Sequence, residues 1–218
     1  MTTITQSTTT VDTQTATDPR ALFAEAVALA GDVIAAVRPD QLDDPTPCTE
    51  YDVRTLLGHL VTVLGRVAAL GRGDNPFALP PVAVADDGWV EAWFDAAYEV
   101  QTAWSDDAVL ERMMRLPWAE EPGAGMLAHY TSELTVHTWD LATATGQRPE
   151  WDERVLDVAF EASRRSLPAE DRAACFAEVA RRMPAGMAPP GAPFAEAVPV
   201  AEDAPLIDRL VAWSGRRP

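Results

Sequence analysis

Three groups able to hold a metal recur at a spacing of four in GMLAHYTSELTVHTWDLATATG: His129, Glu133 and His137. Four residues of α-helix advance about 6 Å and return to nearly the same face, so these side chains fall along one stripe. Two of the chain's three histidines are here; the third, His59, lies in TEYDVRTLLGHLVTVLGRV, whose apolar pattern also predicts a helix. A facing helix would bring its imidazole to the same place. Imidazole nitrogens and a carboxylate oxygen around one divalent ion are the chemistry such a set offers.

Axial distance narrows the set. Glu133 and His137 are about 6 Å apart along the axis, whereas His129 and His137 are about 12 Å apart and cannot comfortably share one ion. The expected ligands are therefore His59, Glu133 and His137. Two histidines and a carboxylate suit zinc with an open fourth position, the catalytic rather than the closed structural pattern; iron or nickel accept the same donors. His129, one turn away, is left as a substrate-facing group or local general base. Asp140, three residues after His137, would hold its ring or contact a substrate, although a solvated helix-face acid reads the same way. Taken alone, His59 reads as a boundary histidine half covered by a neighbour, and Glu133 with His137 as an ion pair. A carboxylate and an imidazole sharing a face with leucines need their desolvation compensated, and a cation does that.

Helices must position these groups. Asp18 and Pro19 form a cap and a first-turn proline, and Leu22, Phe23, Ala26, Leu29, Ala30 and Ile34 repeat at helical spacing until Arg38-Pro39. For the second helix Thr49 is the expected cap, with Asp52 as its carboxylate partner and Cys48 packing on Val53. Cys48 just before a helix N-terminus would also have a lowered thiol pKa. The inward residues are Val53, Leu56, Leu57, Leu60, Leu64 and Val67. Trp89, Trp93, Ala96, Ala97, Val100 and Trp104 mark one face of a third helix. MMRLPW reads as an extended connector. Glu120, Glu121 and Pro122 are expected to open the fourth helix, which Gly146 closes and which turns Met126, Tyr130, Glu133, Leu134, His137 and Leu141 inward.

Residues 1–17, rich in Thr and Gln, are expected to be a disordered tail. Residues 18–150 would form the helical bundle and 151–218 a C-terminal helical extension packed on it, ending in a helix that offers Leu206, Leu210, Val211 and Trp213. That last part is short for a domain of its own but long enough to wall the metal cleft. Arg164-Arg165 and Arg181-Arg182 are either anion contacts or solvated helix faces.

Composition excludes several classes. With 218 residues and 47% hydrophobic content the chain can bury a full core. A net charge of −17 repels phosphate backbones and anionic lipid surfaces, so neither nucleic acid nor a membrane is expected as partner. All 17 basic residues are arginine, which excludes Schiff-base chemistry and a phosphate-loop lysine. Cys48 and Cys175 lack the spacing of a disulfide framework or thiolate zinc site, and no window has the roughly 18 apolar residues of a membrane span, so a cytoplasmic location is expected.

TPCTEYDVRTLLGHLV, ELTVHTWDLATATGQ and FAEAVPVAEDAPLIDRLVAWSGRRP together resemble the actinobacterial metal-binding proteins of the DinB and mycothiol-dependent maleylpyruvate isomerase superfamily. The resemblance runs from about Asp18 onward. It implies an all-α fold, a DinB-like four-helix bundle of up-down-down-up topology, holding a divalent metal, usually zinc. The ligands are a histidine of the second helix and a Glu-x-x-x-His pair of a later one, roles that fall on His59, Glu133 and His137. It also implies a low-molecular-weight thiol such as mycothiol, brought to the metal for transfer to, or isomerisation of, a small electrophilic substrate. A metal-binding bundle without turnover, acting as a ligand-binding or structural module, is the alternative, and the apolar helix faces would also support a homodimer.

Overall fold

The computed structural model describes residues 17–80, 82–183 and 194–218. The expected tail thus lies outside the described residues except for Thr17, as does part of the proline-rich stretch after Met183. Asp18 caps α1 (Pro19–Ala35), its carboxylate accepting from the Arg20 N–H at 2.8 Å. A short 3-10 turn at Pro39–Gln41 leads to α2 (Val53–Arg72), followed by α3 (Trp89–Ala103) and the single-turn α4 (Ala108–Glu111). An antiparallel hairpin of β1 (Met113–Leu116) and β2 (Ala119–Pro122) comes next, then α5 (Gly123–Thr145), α6 (Glu153–Ser166), α7 (Arg172–Ala180) and α8 (Leu206–Trp213). The all-α expectation therefore holds for the described residues apart from this one small sheet.

Two expected helix starts are corrected. Asp52, not Thr49, caps α2, accepting from the Thr55 N–H at 2.8 Å. The preceding loop takes up the first N–H groups of the helix, Val53 N–H donating to Asp44 O at 3.0 Å and Arg54 N–H to Leu42 O at 2.8 Å, and before the cap Tyr51 N–H closes a turn on Cys48 O at 2.8 Å. Those bonds fix the first turn of the helix at Val53. Likewise Glu120, Glu121 and Pro122 belong to β2, where Arg115 pairs with Glu120 at 2.7 Å across the hairpin. Helix α5 starts at Gly123, where an added Cβ would lie 2.1 Å from Val109 O.

The core is built on α2, whose Val53, Leu56, Leu57, Leu60, Leu64 and Val67 are all buried, as the apolar stripe predicts. This helix is long and apolar enough to cross a membrane by length and composition, but its apolar face is the packed interior. It packs against α3 and α5, and α1 against the same two helices. Indole N–H groups fasten α3 to both neighbours: Trp93 donates to Val27 O at 3.3 Å and Trp104 to Val67 O at 2.8 Å. Close approach at the second contact requires glycine, since a Cβ on Gly71 would meet the Trp104 ring nitrogen at 2.6 Å. On the outer side of α5, Val136 joins Leu156, Ala159, Phe160 and Leu210, so α6 and α8 lie against the helix that carries Glu133 and His137.

Candidate metal centre

Helix α2 delivers His59 and helix α5 delivers Glu133 and His137 to one point: one ligand atom of each lies within 4.8 Å of the others. The Nε2 atom of His59 is 3.3 Å from Glu133 Oε1, close enough for attraction but without hydrogen-bond alignment, and is buried with no hydrogen-bond partner among the described residues. The His59 and His137 rings stand 4.7 Å apart edge to face. A buried, unpartnered imidazole nitrogen costs free energy, and coordination to a cation removes that cost. The Glu133 side chain remains 30% exposed against 9% for His137, so the centre is open to solvent on the Glu133 side.

Electrostatics prepare the donors. Burial pushes the Glu133 carboxyl up, but its interaction with His59 and the charges of His59, His137 and Arg66 outweigh this and hold it below the ordinary carboxylate range. Burial pushes His137 down, and the nearby His59 adds to that, against the raising effect of Asp140. A charged carboxylate and a neutral imidazole are the ligating forms of each.

Behind His137, its Nδ1 lies 3.1 Å from Asp140 Oδ2, and Asp140 is fully buried. Burial raises the Asp140 carboxyl, yet bonds from His137 and Arg216 bring it below its usual value. Of the two roles open to Asp140, the structure thus favours holding the His137 ring. His129 is elsewhere: one ring nitrogen meets Glu121 of β2, and the other lies 3.0 Å from Ser166 Oγ at the end of α6. It bridges the hairpin to α6 and is not part of either donor group formed by the described residues.

Two residues near the centre, Tyr51 and Arg66, escape the sequence reading, and Cys48 enters it only as a packing residue or thiol. Cys48 forms a second close group with His137 and Asp140; burial raises its thiol pKa, the reverse of the helix-terminus expectation, because α2 begins only at Val53. The Tyr51 ring lies 5.1 Å from that of His59 and 6.3 Å from that of His137. Arg66, two turns beyond His59 on the same face, rests on the Phe77 ring at 5.8 Å, and its charge reaches Tyr51, Tyr130 and Glu133. Among the described residues no carboxylate lies within ion-pairing distance of it. Only Arg66's seven-residue spacing from His59 was there to be noticed. Of the arginine pairs weighed above, Arg164 stacks on Phe160 and Trp213, while Arg181 and Arg182 pair with Glu178.

A mostly helical chain that brings two histidines and a carboxylate together between two long helices has a group able to hold a metal ion. The chain belongs to the mycothiol maleylpyruvate isomerase N-terminal domain family, whose model matches residues 22–142. It is also similar to two Mycobacterium tuberculosis proteins described as uncharacterized, MT0763 of strain CDC 1551 / Oshkosh and Rv0738 of strain ATCC 25618 / H37Rv. Each is 30% identical over 184 residues, covering 84% of this chain and 90% of the relative. No solved structure matches the chain.

Proposed function

We propose that the protein binds a divalent metal, zinc by its donor set, through His59, Glu133 and His137, and uses it as a thiol-dependent transferase or isomerase acting on a small electrophile. The observation that carries this reading is the meeting of the three donors across α2 and α5 around a buried, unpartnered His59 nitrogen, in a chain of a family named for mycothiol. A cation held there would lower the pKa of a bound thiol and make thiolate available at neutral pH. The chain's own residues do the rest. Asp140 orients His137, Glu133 supplies negative charge at the solvent-open side, and Arg66, without a carboxylate partner among the described residues, offers a cation to an anionic part of the thiol or substrate. Two turns separate Arg66 from His59, and a helical side chain leans back toward the N-terminus, which aims this cation at the centre. We read α1, α2, α3 and α5 as the four-helix bundle of the superfamily, with up-down-down-up topology, and a cytoplasmic, small-molecule role for it.

Elemental analysis of untagged wild type beside His59→Ala and His137→Ala tests the first half. Near-stoichiometric zinc, lost in both variants while they stay folded, is expected. Metal-free wild type after reconstitution would overturn the reading. Screening mycothiol and other small thiols against electrophiles then tests the second half; metal-loaded protein that transfers to none of them would leave a binding module.

A further inference from the structure

The centre has a contributor from far along the chain. After α8 the chain turns at Gly215, whose φ of 84° and close approach to Ala195 O, 2.9 Å from where a Cβ would be, both require glycine. That turn sends the Arg216 side chain inward, where it is only 6% exposed. Its Nε donates to Asp140 Oδ1 at 3.2 Å and its Nη2 to Asp140 Oδ2 at 2.8 Å, while Nη1 donates to Ser214 O at 2.8 Å. The backbone is held too, Arg216 N–H donating to Val211 O at 2.9 Å.

We propose that Arg216 is a positioning residue of the metal centre: it fixes the plane of the Asp140 carboxylate, and Asp140 in turn fixes the ring and tautomer of His137 so that Nε2 faces His59 and Glu133. The inference rests on the metal reading of those three residues. A two-point guanidinium–carboxylate contact sets the orientation of both planar groups, which a single ammonium contact does not. Asp140 accepts only, and a neutral imidazole carries one N–H; the proton shared between them therefore sits on His137 Nδ1, and the lone pair is on Nε2. Because Asp140 is fully buried, a carboxylate that loses the guanidinium is left away from bulk solvent. An anchoring role for Arg216 would alter stability alone; a positioning role alters metal affinity and the His137 tautomer.

The test uses the full chain. Zinc affinity is measured by chelator competition, and the His137 tautomer by long-range proton–nitrogen NMR on metal-free protein. The variants are Arg216→Met, Arg216→Lys, Asp140→Asn and the Arg216→Met/Asp140→Asn double, with Leu210→Ala as a control that loosens α8 without touching Asp140. Expected are an Nδ1–H tautomer in wild type and affinity about 10–100-fold weaker in Arg216→Met. Arg216→Lys should fall between, the double variant should be no weaker than Asp140→Asn, and Leu210→Ala should lose stability with its zinc affinity kept. An Nε2–H tautomer in wild type overturns the proposal, and so does a folded Arg216→Met that binds zinc as wild type does. If Arg216→Met fails to fold, Arg216→Lys and the wild-type tautomer decide. Wild type that binds no zinc would defeat the metal reading alone, because the tautomer and its change in Arg216→Lys still show whether Arg216 governs His137.

Discussion

Tyr130 sits one turn before Glu133 on α5, is 3% exposed, and its hydroxyl has no hydrogen-bond partner among the described residues. Burial drives its pKa upward, aided by the neighbouring Glu133 charge, so the group is a neutral hydroxyl. A buried polar group without a partner costs about 1–3 kcal/mol. Replacing it by phenylalanine removes the stranded oxygen and keeps the ring. Tyr130→Phe is therefore expected to stabilise the metal-free protein by about 1 kcal/mol, since the small void left behind offsets part of the relief. For a chain of this size that raises Tm by roughly 2–4 °C. Urea and thermal unfolding followed by circular dichroism measure both. The hydroxyl is also within reach of the Arg66 and Glu133 charges, so on the proposed function it awaits a bound thiol or substrate, and the stabilised variant should turn over more slowly. A Tyr130→Phe protein destabilised by about 1 kcal/mol or more would refute the reasoning, because only a hydroxyl already bonded in the free protein costs stability when it is lost.

Gly71→Ala drives a methyl into the Trp104 indole and should destabilise by about 1–3 kcal/mol, read from the urea midpoint. His137 and Asp140 both have lowered pKa values, the first from burial and the second from its bonds to His137 and Arg216 prevailing over burial. The unfolded chain thus takes up protons at higher pH than the folded one, so stability present above pH 6.5 is lost as pH falls through the His137 window, with a second loss below 3.8. Metal-free protein should show this between pH 8 and 5 by urea unfolding, and His137→Gln should flatten the upper step; stability rising over that interval would count against it. With zinc at about 100 times its Kd, chelation should remove about 2.7 kcal/mol of stability, seen as a drop of several degrees in Tm. His129→Leu should leave zinc content intact while exposing the hairpin to proteolysis, since it tethers Glu121 and Ser166; loss of zinc there would place His129 among the ligands.

Local signals made the meeting of His59, Glu133 and His137 legible: three histidines in all, a spacing of four, and an apolar stripe that said which way each helix faces. The inward residues of α2 and α5 follow from the same periodicity. Where a tertiary bond decided, local reading failed. Thr49 and Asp52 resemble a capping pair, but backbone bonds to Leu42 and Asp44 delay the helix until Val53. Glu120 and Glu121 look like first-turn acids, but the pairing of β1 with β2 claims them. Cys48 shows the same logic in chemistry: its thiol answers to burial rather than to a helix end that starts five residues later. Nothing near Arg216 in the sequence points to Asp140, because their pairing exists only once α6 and α8 have packed on α5.

That pairing joins residues 76 positions apart, and the proposed ligands His59 and His137 lie slightly farther apart along the chain. Closing loops of this length costs little extra equilibrium free energy, since each doubling adds only about 0.6 kcal/mol. In time the consequence is larger, because long-range contacts form after local ones. During refolding, helix signal should therefore appear first and tight zinc uptake last, with an intermediate that holds α2 and α5 but not the turn at Gly215 binding zinc weakly. On the proposed function the centre then reports completion of the fold: occupancy at limiting zinc counts the molecules in which these long-range contacts have closed.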